Sequence, residues 1–69
     1  MSIGKNIRSV RRAKGMSQKA FARELRVSQT VVCMWETDRH YPSLFMLICI
    51  ADLLEVSLDE LVGRGEEKK

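Results

Sequence analysis

Metal ligands are scarce in this sequence. It has one histidine, His40, and two cysteines, Cys33 and Cys49, with neither a CxxC nor an HxxxH spacing. A four-ligand zinc site is therefore excluded, and no metal or cofactor is expected. Long apolar runs are missing as well: the longest, Leu44 to Ala51, stops at the charged Asp52, far short of the roughly 20 residues that cross a bilayer. The start, Met1-Ser2-Ile3-Gly4-Lys5, has no apolar secretory segment. A cytoplasmic location follows as the expectation, with both thiols reduced and no structural disulfide. No His/Cys/Asp grouping stands at catalytic spacing and there is no phosphate loop, so nothing in the chain points to an enzyme. Strand-like alternation, internal repeats and a domain linker are absent too.

What is present is charge, unevenly placed. Residues 1–42 carry nine Lys/Arg (Lys5, Arg8, Arg11, Arg12, Lys14, Lys19, Arg23, Arg26 and Arg39) against Glu24, Glu36 and Asp38, a net +6. Residues 43–69 carry Arg64, Lys68 and Lys69 against six acids, a net −3. A basic front and an acidic back suit a molecule that meets a polyanion with one end, although a solvated Lys/Arg surface accounts for the same numbers. With 69 residues, a single domain buries only about 60% of its unfolded surface, so its core is marginal and readily assisted by a second subunit.

The apolar spacing and the stop signals predict five short helices and an all-α fold. The first runs from about Ile3 to Lys14, with Ile3, Ile7 and Val10 on one face and Gly15 as its stop. Ser17 caps a second from Gln18 to about Arg26 that buries Phe21, Ala22 and Leu25. Ser28 caps a third, to about Thr37, with Val31, Val32 and Trp35 inward. Pro42 enforces a loop over residues 38–42. Ser43 caps a fourth, to about Leu54, and Ser57 with Glu60 forms a capping box for a fifth ending at Gly63. Residues 1–63 are thus read as one domain, and 64–69 as a polar tail expected to be disordered.

The second and third helices, joined by about three residues, cannot lie antiparallel, and the small Ala22 lets their backbones approach. This is helix-turn-helix geometry. The outer side of the third helix carries Gln29, Thr30, Cys33, Met34 and Thr37, polar or soft but uncharged. A major groove about 12 Å wide admits such a helix, and an amide on its first turn can bond an adenine edge bidentately.

The spaced series Ile3-Gly4, Ile7-Arg8, Arg11, Lys14 to Gln18, Phe21-Ala22, Leu25, Val27-Ser28, Val32, Trp35-Glu36, Pro42 to Leu44, Leu47, Ala51, Leu54 and Val56 to Leu61 resembles the phage-repressor/Cro-type helix-turn-helix family over residues 3–62. The resemblance implies a lambda-repressor-like five-helix domain that binds double-stranded DNA as a homodimer, with a palindromic operator and the third helix in the major groove. Position by position, it implies base contacts from Gln29, Thr30, Cys33 and Met34. It implies phosphate contacts from Ser17 and Gln18, with Gln18 bracing Gln29, and from Arg39, His40 and Tyr41 in the following loop. Arg11 and Glu36 match a partly buried salt bridge between the first and third helices. Arg26 and Asp38 stand where the family usually carries glycine. Arg26 would then be strained or would shift the turn, whereas Asp38 tolerates left-handed geometry better than most residues.

Several residues have a plainer reading. Trp35 fits the core better than base stacking, and Arg11 fits the pairing with Glu36 better than a phosphate. Cys33 reads as a small neutral contact rather than a redox switch, having no adjacent resolving cysteine and no evident basic neighbour. In the fourth helix, Leu44, Leu47, Ile48, Ala51 and Leu54 are taken as the core face. Phe45, Met46, Cys49 and Leu53 are then left over as a self-association stripe, or as the seat of a thicker core. Two functions compete: a DNA-binding regulator, most simply a repressor, and an antitoxin-like or adaptor module whose main partner is another protein.

Overall fold

The computed structural model describes residues 2–63; Met1 and the expected tail at 64–69 lie outside the described residues. Five helices follow one another: α1 (Ile3–Ala13), α2 (Gln18–Leu25), α3 (Gln29–Glu36), α4 (Leu44–Leu54) and α5 (Leu58–Val62). Each begins on a serine in extended backbone, whose side-chain oxygen accepts from the amide three residues on. Ser2 accepts from Lys5, Ser17 from Ala20, Ser28 from Val31, Ser43 from Met46 and Ser57 from Glu60. A hydroxyl in this position satisfies one of the amides that the first helical turn leaves unpaired.

The helix ends share a mechanism. After α1 to α4 the chain turns through a left-handed residue: Gly15 (φ 76°), Arg26 (61°), Asp38 (61°) and Glu55 (59°). The amide that follows bonds back five residues, from Met16 to Arg11, Val27 to Ala22, Arg39 to Met34 and Val56 to Ala51. These are Schellman closures, which glycine favours because a Cβ at positive φ crowds the carbonyl. Arg26 therefore accepts the strain rather than shifting the turn.

α1 packs on α3 and α5, α2 on α3 and α4, and α4 on α5. Between them lie Ile7, Phe21, Ala22, Val32, Trp35, Ile50, Ala51, Leu54 and Leu61, with Ile3, Val10, Leu25, Val27 and Val31 at the margin. Trp35 is in this core. The Asn6 side-chain amide donates to the Leu61 carbonyl at 3.0 Å, tying α1 to the last helix.

The helix α4 corrects one expectation. Leu44 and Ile48, read as core, are 68% and 41% exposed, whereas Ile50, Ala51 and Leu54 are the residues buried. Met46, Leu47 and Leu53 pack at the edge of the core. The helix is apolar on nearly every side, so two overlapping i, i+3/i+4 stripes were available. The supports that α2 and α5 offer select the one through Ile50.

The start of α1 approaches α3 closely. A Cβ on Gly4 would collide with the Trp35 carbonyl and stand 2.8 Å from an Asp38 carboxylate oxygen. The Asp38 carboxylate accepts from the Gly4 amide (3.1 Å) and from the Ser2 hydroxyl (2.6 Å). A Gly4→Ala substitution is expected to cost about 1–3 kcal/mol by overpacking against backbone. An Arg26→Gly substitution should raise stability by about 0.5–1 kcal/mol, the left-handed penalty less the entropy that glycine adds to the unfolded chain. Urea denaturation measures both, and a lowered midpoint for Arg26→Gly contradicts the strain assigned to that turn.

Candidate nucleic-acid interface

The outer side of α3 is held in place from behind by an ion pair. Arg11 of α1 is 6% exposed and Glu36 of α3 is 5% exposed. The Arg11 Nε donates to Glu36 Oε2 at 2.7 Å and its Nη2 to Oε1 at 3.0 Å, a two-pronged contact. Its Nη1 donates to the Met16 carbonyl at 2.7 Å, which fixes the turn before α2 as well. A planar guanidinium suits this fork, and a lysine could not make it. No buried side-chain nitrogen or oxygen among the described residues lacks a partner.

The hydrogen bonds then run outward in a fixed direction. A carboxylate paired with guanidinium can only accept, so Gln18 turns its Nε2 toward Glu36 Oε1, at 3.2 Å. That leaves Gln18 Oε1 facing the first residue of α3, where Gln29 Nε2 donates to it at 3.3 Å. Among the described residues nothing bonds the second N–H or the Oε1 of Gln29, which is exposed. A free donor beside a free acceptor on one planar amide matches the N7 and N6 edge of adenine.

Around Gln29 the exposed surface of α3 consists of Thr30, Cys33 and Thr37, while Met34 is half-buried. The Thr37 hydroxyl donates back to the Cys33 carbonyl at 2.8 Å. The helix α3 itself contributes no charged side chain to this face, its Glu36 being buried. Three basic residues that local spacing does not connect to Cys33, namely Arg8, Arg11 and Arg12, line one shallow depression with it, together with Gln18, Glu36 and Thr37. All three come from α1, so no local spacing reveals them. Ser17 is exposed and occupied in capping α2.

Arg39, His40 and Tyr41 are all exposed in the loop between α3 and α4. The amides of Arg39 and His40 both donate to the Met34 carbonyl, at 2.9 and 3.3 Å, so these two backbone donors are already engaged and the donors left to a partner are on the side chains. The Asp38 clasp onto Ser2 and Gly4 anchors this loop to the start of α1. Sequence reasoning missed the clasp; its one signal was an aspartate at a turn position that favours glycine. Of the four residues assigned to self-association, Phe45 is 72% exposed and Cys49 is half-buried. Met46 and Leu53 contact the core.

Two eight-residue helices, α2 and α3, joined by a tight turn and with the second open along one side, constitute a helix-turn-helix unit. A family profile described as helix-turn-helix matches residues 7–61, and the chain belongs to that family. It is 34% identical over 67 residues to the HTH-type transcriptional activator BcrR of Enterococcus faecalis, covering 97% of this chain and 32% of that protein. It is 36% identical over 64 residues to the cryptic phage CTXphi transcriptional repressor RstR of Vibrio cholerae, covering 93% of this chain and 57% of that one. The chain thus spans from about a third to somewhat over half of these curated relatives. Among solved structures, it is similar to the P22 c2 repressor in complex with a synthetic operator. There the TM-score is 0.81 at 26% identity, over 88% of this chain and 92% of that one. No helix among the described residues is long and apolar enough to cross a membrane.

Removing one member of the buried pair leaves the other charge without its partner. Arg11→Met alone is expected to cost about 3–5 kcal/mol, and the Arg11→Met/Glu36→Met double variant to recover much of that loss. A double-mutant cycle by urea denaturation checks this. Losses that simply add would show that the pair is not coupled.

Proposed function

We propose that this chain is a sequence-specific double-stranded DNA-binding regulator of transcription, acting as a repressor, with α3 seated in the major groove of a palindromic operator as a homodimer. The observation that carries the reading is the directed chain from Arg11 and Glu36 through Gln18 to Gln29. It holds an adenine-matching amide on an uncharged, open helix face. Gln29 is the principal base reader, with Thr30, Cys33 and Met34 offering methyl, thiol and thioether contacts to neighbouring bases. Ser17 and Gln18, at the positive end of α2, and Arg39, His40 and Tyr41 serve the sugar-phosphate backbone. The named functions of the relatives and the operator bound by the P22 neighbour support this assignment over an adaptor role.

Self-association is assigned to the exposed apolar surface at the start of α4. Leu44, Phe45 and Ile48 lie there side by side, with Cys49 at its edge. A second copy covering this surface two-fold symmetrically removes three large apolar side chains from water and presents two copies of α3. Operators read by such dimers repeat every 34–36 Å, about one DNA turn.

Binding to duplex DNA should fall on the order of a thousandfold between 50 and 200 mM salt. Against a selected operator, Gln29→Ala should cost about 1–3 kcal/mol while leaving random duplex unaffected, whereas Arg39→Ala should weaken both by one factor. Anisotropy titration reads all three. A flat salt dependence, or equal losses on every duplex for both variants, contradicts the assignment. Phe45→Glu should stay folded, sediment as a monomer and lose operator affinity. Sedimentation and binding unchanged from the parent chain would remove this surface from the interface.

A further inference from the structure

The outer face of α1 is strongly basic and has no part in the packing. Lys5, Arg8, Ser9 and Arg12 are all exposed and line one depression of the surface. Arg8 and Arg12 also line a second, shared with Gln18 at the start of α2 and with Cys33 and Thr37 on the open side of α3. These two arginines therefore bridge the outside of α1 and the margin of the reading face.

Their charge is uncompensated. The helix α1 contains no acidic residue, and among the described residues the ion pair is that between Arg11 and Glu36. In the second depression three guanidinium groups, Arg8, Arg11 and Arg12, stand against the single Glu36 carboxylate, leaving a net +2. Glu36 is already held by Arg11, so the two exposed arginines are left to attract an anion from solution. Concave, positively lined surfaces concentrate field, and guanidinium binds phosphate oxygens through paired N–H donors.

We infer that Arg8 and Arg12 form a second clamp on the DNA backbone, on α1 and separate from the loop at residues 39–41. The occupant follows from position: whatever lies against Cys33 and Thr37 brings its own outer edge to the shared depression. For a duplex entered by α3, that edge is a sugar-phosphate strand. This inference rests on the DNA-binding reading above and adds to it a footprint wider than α3 and its following loop. Lys5, farther along the same face, extends the attractive surface toward flanking DNA without lining the shared depression.

The test compares the parent chain with Arg8→Gln/Arg12→Gln and Arg8→Lys/Arg12→Lys, by titration against operator and random duplex across a salt series. Both arginines are exposed and, among the described residues, make no ion pair, so circular dichroism should show the parent thermal midpoint in each variant. For the glutamine variant, the slope of log K against log salt should become shallower by about 1.8 per protomer, corresponding to two lost phosphate contacts. Affinity for operator and random duplex should fall by the same factor, with base preference unchanged. The lysine variant should retain most of the slope, because it keeps the point charges. A glutamine variant with the parent slope and affinity overturns the clamp while leaving the DNA reading intact. A loss confined to operator overturns it too, since that would make these residues readers of sequence. If the parent chain binds no duplex at any salt, the DNA reading fails and the clamp falls with it.

Discussion

The buried pair of Arg11 and Glu36 is the interaction on which the rest of the molecule depends. Withdrawing two charges from water is expensive, and an apolar pair of equal volume often stabilises a fold as well. What an apolar pair cannot do is impose direction. Arg11 holds three segments at once: α1 by its own backbone, α3 through Glu36, and the entrance to α2 through the Met16 carbonyl. Its carboxylate partner then dictates which end of the Gln18 amide faces inward, and so which end of the Gln29 amide faces out. A decision made in the interior thereby sets the hydrogen-bonding pattern at the surface.

The surrounding fold is economical for its size. Five serine caps and four Schellman closures settle most of the helix ends locally. The marginal core is thus relieved of supplying that order. Three of the closures use non-glycine residues at positive φ, and at Asp38 the compensation is visible. Its carboxylate joins the loop at 39–41 to the amide and hydroxyl at the start of α1. Glycine would relieve the backbone there but remove the clasp.

Local chemistry makes most of this legible in the sequence. Ser17, Ser28, Ser43 and Ser57 announce helix starts because capping is decided within four residues, and the short gap between Leu25 and Ser28 fixes the helix-turn-helix. The pairing of Arg11 with Glu36 came from resemblance, since no local rule links residues so far apart. The face of α4 differs from the expectation because a helix apolar on nearly every side, with Asp52 its one charge, carries little periodic signal; its neighbours choose the face. The guanidinium groups around Cys33 escaped notice for a related reason: they lie on α1, brought there by tertiary packing alone. Ser2 was overlooked as a cap because it lies so close to the start of the chain.

If an interior ion pair sets the outward pattern of Gln29, then interrupting the chain between them should change the base preference proposed for α3 without disturbing the fold. The direct measurement is selection of bound sequences from a randomised duplex pool, with the parent chain and with Gln18→Leu, which leaves Arg11 and Glu36 in contact. The parent should enrich a palindrome with adenine at one position of each half-site. Gln18→Leu should keep the palindrome and its spacing while that adenine relaxes toward the background frequency. An adenine preference unchanged in Gln18→Leu, or a parent chain that enriches no sequence at all, would contradict the claim that the buried pair specifies the reading surface.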